Sequence, residues 1–123
     1  RELTDWEGMF IAQELGAIGT AEAVSALIEA LRRDNHLIRR GAARGLDEAM
    51  SPASIEPLIG VLDDTDDKTR RQATATLCRF GTAAIAPLAR ALAAVTPDDG
   101  RRRSILSRVL AEVEASAQEQ ARS

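Results

Sequence analysis

The sequence predicts an all-α fold: a solenoid of about three stacked helix pairs behind one leading helix, about seven helices in all. Three observations carry this reading. The chain matches itself at a shift of about 31 residues. Apolar positions recur at helical spacing in seven segments separated by capping and turn residues. Apolar residues make up 45% of the chain, yet aromatics are only 2% (Trp6, Phe10, Phe80). A core built from Leu, Ile, Val and Ala suits closely packed helices, and β-branched and aromatic residues are too few for an all-β fold.

The first helix is expected over Leu3–Ile18. Thr4 with Glu7 three residues on has the spacing of a capping box. Met9, Phe10, Ile11, Leu15 and Ile18 give it a broad apolar face, and Gly16 and Gly19 are expected to end it. Thr20 caps a second helix over Ala21–Arg32, with Val24, Leu27, Ile28 and Leu31 facing inward. Asp34 and Asn35 form a turn. The third helix runs over His36–Ala49, with Ile38, Ala42, Ala43 and Leu46 inward. Gly41 and Gly45 lie inside it, where close packing by a neighbour explains their presence. Ser51 and Pro52 open the fourth helix, and Pro57 predicts an irregular first turn. Residues 63–67 are all Asp or Thr, which are capping types.

The fifth helix is expected over Lys68–Phe80, with Ala73, Thr74, Leu77 and Phe80 inward. Gly81 and Thr82 end it and cap the sixth, Ala83–Val95, whose inward residues are Ile85, Leu88, Ala89 and Leu92. Residues 96–100 are a loop. The seventh helix starts near Arg101 and carries Ile105, Leu106, Val109, Leu110 and Val113. Residues 114–123 are a polar helical tail. The whole of 1–123 reads as one repeat domain. The first residue is Arg rather than Met, which suggests a piece of a longer solenoid.

The repeat is specific. Arg39, Arg40 and Ala42 fall on Arg70, Arg71 and Ala73, and Leu46 falls on Leu77. Pro57, Leu58 and Leu62 fall on Pro87, Leu88 and Leu92. Arg70 and Arg71 fall on Arg102 and Arg103, and backwards Leu46 falls on Leu15. One such helix pair cannot bury its apolar face alone, but stacked copies can.

Several functions are excluded. Net charge is −3, so nothing pulls the chain toward nucleic acid or an anionic membrane. No apolar run is long enough to span a bilayer. One cysteine, Cys78, and one histidine, His36, rule out a disulfide framework and a Cys/His metal centre. No phosphate loop, nucleophile elbow or Ser/His/Asp set is present. No catalytic residue, metal or cofactor is expected, and a cytoplasmic location is the default. Of the 16 cationic residues all but Lys68 are Arg, as a GC-rich genome would give.

The stretch PLIGVLDDTDDKTRRQATATL resembles a HEAT repeat of the short, bilin-lyase-like kind. It has an apolar first helix, an Asp at the turn, and Arg followed by Ala and Leu in the second helix. Thr69 stands where that pattern has a hydrophobic residue. The resemblance implies a right-handed solenoid. It also implies a structural ladder in which turn Asp and second-helix Arg join successive repeats, here Asp34 with Arg39 and Asp64 with Arg70, and Arg102 in the last copy. It implies that the second helices line the concave face. Stacking them sets Met9, Arg40, Arg71 and Arg103 in one row and Gln13, Arg44, Ala75 and Ser107 in another, with Asp47, Glu48, Arg79 and Arg108 nearby.

Arginines in a groove attract carboxylates. The expected function is therefore a non-enzymatic scaffold that binds a protein or peptide, acidic or helical, through Arg40, Arg44, Arg71, Arg79 and Arg103. DNA glycosylases of similar fold need aromatics in the concavity, and here the single Trp lies at one edge. The alternative implied by the repeat subtype is a bilin-lyase-type subunit that assists tetrapyrrole attachment. Trp6 and Met9 mark an end interface, where the chain could associate with a missing repeat or a second copy; Phe10 is expected to fold onto the second helix.

Overall fold

A computed structural model describes residues 4–122. Among them are seven α-helices and one 3-10 turn, with no strand: α1 Asp5–Ile18, α2 Ala21–Ala30, α3 His36–Ala49, η1 Pro52–Ser54, α4 Ile55–Gly60, α5 Asp67–Phe80, α6 Thr82–Ala93 and α7 Gly100–Arg122. They stack as a solenoid. The odd-numbered helices form one layer, α3 packed between α1 and α5, and α5 between α3 and α7. Helices α2, α4 and α6 form the other, and α2 reaches the next pair through η1.

Local chemistry sets the helix starts. Thr4 Oγ1 accepts from the Glu7 N–H at 3.1 Å while Glu7 Oε1 accepts from the Thr4 N–H at 3.0 Å, which closes the capping box. Thr20, Asn35 and Asp66 cap α2, α3 and α5 through their side chains. Gly19, at φ 69°, ends α1 in the left-handed conformation. The segment after Ser51 begins as the 3-10 turn Pro52–Ser54 before Ile55 enters α4. The first turn is irregular, as expected from Pro57, but Ser51 makes no side-chain capping bond and Pro57 itself lies within α4.

Several boundaries differ from the sequence expectations. The expected start at Leu3 lies outside the described residues. Helix α2 stops at Ala30, because 31–34 close into turns. Helix α5 begins one residue early, at Asp67. Thr82 is the first residue of α6 rather than its cap; Gly81, at φ 63° and ψ −125°, precedes it and makes no side-chain capping bond. Gly16 does not end α1 but lies within it.

The core is aliphatic and runs the length of the stack. Leu27, Leu46, Leu58, Leu62, Leu77, Leu88, Leu106, Val109 and Val113 are fully buried. Each such side chain contributes about 1.5–3 kcal/mol relative to an exposed one. In α5 the buried polar positions are Thr69 and Thr76, while Thr74 and Phe80 are only half-buried. In α6 Leu88 is buried and Ile85 and Leu92 pack against the core as expected, but Ala84 is buried in place of Ala89, which is exposed. Register explains this, since Ala84, Leu88 and Leu92 follow one another at four-residue steps.

Helix α1 departs most from expectation. It meets α3 through small residues. A Cβ placed on Gly16 would lie 2.5 Å from both Cα and O of Gly45, and one on Gly45 would lie 2.6 Å from the Ala12 carbonyl oxygen. A Cβ on Gly41 would meet Met9 backbone at 2.9 Å, and one on Gly8 would meet Ile38 at 2.8 Å. The two backbones are therefore in direct contact, and Gly8, Ala12 and Gly16 form the buried stripe. The large apolar residues turn outward: Trp6 is 69%, Phe10 63%, Ile11 43% and Ile18 61% exposed. Phe10 thus does not fold onto α2.

Candidate functional site

The turn before α5 gathers a dense polar network. Arg39 on α3 reaches forward to Asp64 in a two-pronged pair, Nε to Oδ2 at 2.8 Å and Nη2 to Oδ1 at 3.1 Å. Its third prong, Nη1, donates to the carbonyls of Arg33 and Asp34 in its own turn, at 2.8 and 2.7 Å. Arg70 repeats the second half of that pattern: Nη1 donates to the Asp64 carbonyl at 2.7 Å. The expected partners thus meet, but Asp34 with Arg39 and Asp64 with Arg70 join through backbone carbonyls. The carboxylate rung runs from Arg39 to the next repeat's Asp64.

The rung fades at both ends. One repeat upstream, Gly8 aligns with Arg39, and the Asp34 side chain is exposed. Downstream, Thr96 aligns with Asp64, and Arg70 turns instead to Asp67 of its own helix at 2.8 Å. Arg102 pairs backward with Asp63 at 3.4 Å.

Arg40 joins the same network. It grips Asp66 with Nη2 to Oδ1 at 2.8 Å and Nε to Oδ2 at 3.3 Å, and the two side chains are only 19% and 11% exposed. Asp66 also caps α5, accepting from the Thr69 N–H at 3.0 Å and hydroxyl at 2.7 Å, and its own N–H donates to Asp64 Oδ1 at 2.8 Å. The Arg40 hydrogen bonds hold the Asp66 carboxyl far below the usual carboxylate range; desolvation opposes this, and the Thr69 bonds assist. A depressed carboxylate contributes stability that is present above its unfolded pKa of about 4 and lost as pH falls through the folded value. Urea unfolding across a pH series should therefore show stability dropping below about pH 4. Asp66→Asn should flatten that acid limb, and an equal slope in both proteins would contradict this assignment.

On the exposed face of the odd-numbered helices, Asp47 bridges α3 and α5. It accepts from the Thr76 hydroxyl at 2.7 Å and pairs with Arg79 Nη1 at 2.7 Å; the same Nη1 donates to the Asp47 carbonyl at 3.0 Å. Arg44 is exposed, with no carboxylate at ion-pair distance among the described residues. Arg71 is 79% exposed and held only by Asp67, four residues back on its own helix, at 3.0 Å. Arg108 is held the same way by Glu112 at 3.4 Å. Arg103 is exposed near the carbonyls of Val95 and Thr96.

Between α5 and α7, Arg71 and Arg108 border an open cleft of about 460 Å³ lined by Asp67, Arg70, Arg71, Thr74, Ala75, Cys78, Arg108 and Glu112. A second cleft, of about 480 Å³, lies between α2 and α4, lined by Ile28, Leu31, Arg32, Glu56, Pro57, Gly60 and Val61. Among the described residues no group of three or more His, Cys, Asp or Glu stands close enough to hold a metal ion.

The structure thus separates the arginines that the sequence placed together. Arg40 is spent on Asp66 and Arg79 on Asp47, while Arg44, Arg71 and Arg103 stay open. Arg108, named only as a neighbour, lines the cleft. Trp6 is exposed, whereas Met9 lies in the α1–α3 seam against Gly41. Asp66 caps α5 as the capping residues of 63–67 led one to expect. Its pairing with Arg40, and the roles of Asp47 and Thr76, were missed by sequence reasoning.

Among the described residues no helix is long and apolar enough to cross a membrane. No curated protein matches the chain. The family model for HEAT repeats matches twice, over residues 9–78 and 37–111. The two overlapping matches follow the helix-pair period and together cover most of the sequence, and such repeats are generally protein-interaction and scaffold modules. The chain belongs to the HEAT-repeat family.

Proposed function

We propose that this chain is a non-enzymatic protein-binding module whose odd-helix face receives an acidic segment of a partner protein. The observation that carries this reading is the pair of exposed arginines, Arg71 and Arg108, that line the α5–α7 cleft, with Arg44 exposed on the adjoining α3. Arg71 and Arg108 are tied only by exposed pairs within one helix turn. Such pairs are worth about 0.3–0.5 kcal/mol, so a ligand carboxylate displaces Asp67 or Glu112 at little cost. Arg also offers a planar fork that matches a carboxylate with two bonds. Thr74, Ala75 and Cys78 give the cleft a floor of small side chains, which suits a helix or extended strand laid between the arginine rims.

The test is titration with a labelled glutamate-rich helical peptide. The triple variant Arg44→Glu, Arg71→Glu, Arg108→Glu should bind at least about tenfold more weakly. Its helicity should be unchanged, since these side chains bury little. Binding that survives the triple reversal would sink the groove reading.

A further inference from the structure

The opposite edge of the stack carries a second surface of contrary character, and the repeat register reveals it. Advancing by 31 residues places Phe10 on Gly41, Ile11 on Ala42 and Glu14 on Gly45. A further 31 gives Gln72, Ala73 and Thr76. In the interior repeats these are stacking positions: Gly41, Ala42, Gly45, Ala73 and Thr76 are all buried. There they are small or neutral, and they let the preceding helix approach to backbone contact, as at Gly45 against Gly16 and Ala12.

On α1 the same positions hold a phenylalanine, an isoleucine and a glutamate. A helix set as closely as α1 is to α3 would clash with Phe10 and bury the Glu14 charge without a partner, which is strongly unfavourable. The outer face of α1 is therefore shaped for a neighbour of another kind. Every large apolar side chain that is highly exposed among the described residues lies on it: Trp6, Phe10, Ile11 and Ile18. Asp5, Glu7 and Glu14 are the charged residues of 4–18, where no Lys or Arg occurs. A second copy's α1 would bring acid against acid.

We propose that this face docks a cationic amphipathic helix of a partner protein, with its apolar stripe over Phe10, Ile11 and Ile18 and a Lys or Arg set against Glu14. Arginine–carboxylate pairs already join neighbouring repeats in this stack, Arg40 with Asp66 and Arg79 with Asp47, and a cation set against Glu14 would add one more. The surface is separate from the Arg-lined cleft and does not depend on it.

Trp6, the single tryptophan, reports occupancy. A Trp-free helical peptide with one leucine face and one lysine face is titrated while Trp6 emission is followed, alongside its leucine–glutamate counterpart. The expected result is a blue shift with the lysine peptide and at least about tenfold weaker binding of the glutamate peptide. Phe10→Ser should lose the binding and Glu14→Lys should reverse the charge preference, while Glu119→Lys, at the far end of α7, should change neither. The proposal is overturned by equal binding of both peptides, by a charge preference that survives Glu14→Lys, or by a shift seen only with lipid vesicles. Concentration-dependent dimerisation that Phe10→Ser abolishes, with no peptide binding, would assign the face to a second copy instead.

Discussion

Gly16→Ala is expected to destabilise the protein by about 2–3 kcal/mol, although alanine is the better helix former by about 1 kcal/mol. The new methyl would sit 2.5 Å from Cα and O of Gly45. Those are backbone atoms, so no rotamer change relieves the overlap; α1 and α3 must separate, and the Gly8, Ala12 and Gly16 stripe loses contact along its length. For a domain of this size the melting temperature should fall by about 10 °C. Gly60→Ala is the matched control. It lies at the end of α4 with nothing within 4 Å of its Cβ position, and it should be neutral or stabilise by up to about 1 kcal/mol. Opposite signs from the same substitution are what the close helix contact requires; thermal melts that move together would contradict it.

Asp66→Ala is expected to cost about 2–4 kcal/mol. It removes the α5 cap at Thr69 and leaves Arg40 without the carboxylate it grips. Asp66→Asn keeps an acceptor for the Thr69 N–H and should recover part of the loss. The exposed pair Arg32–Glu29, with side chains 70% and 72% exposed, gives the contrast: Glu29→Ala should change stability by less than about 0.5 kcal/mol. Chemical denaturation of the three variants checks the order. Equal losses for Asp66→Ala and Glu29→Ala would mean that the turn network does not hold the repeats together.

The helices and their stacking were legible because the relevant signals are local or periodic. Thr4 with Glu7, Thr20, Asn35 and Gly19 sit where caps belong, and Leu46 over Leu77 fixes the register of the core. What each arginine does was less legible. Arg39 and Arg40 are neighbours on one helix, and Asp64 and Asp66 are two apart in one turn. A guanidinium is long enough to carry either arginine to that turn, so spacing alone does not say which one remains in the groove.

The outward face of α1 was misread for a related reason. Apolar periodicity marks a face but not what lies against it. Here the small residues Gly8, Ala12 and Gly16 occupy the contact, while Phe10, Ile11 and Ile18 turn away.

On the proposed function, Arg40 and Arg71 divide the labour: Arg40 holds repeats together, and Arg71 receives the ligand. Thermal melts of wild type, Arg40→Gln and Arg71→Gln, each with and without saturating polyglutamate, separate the two roles. Ligand that binds only the folded state raises Tm. Arg40→Gln should melt lower than wild type but keep the ligand-induced rise. Arg71→Gln should melt with wild type and lose most of that rise. Loss of the rise in Arg40→Gln, or its retention in Arg71→Gln, would contradict the division.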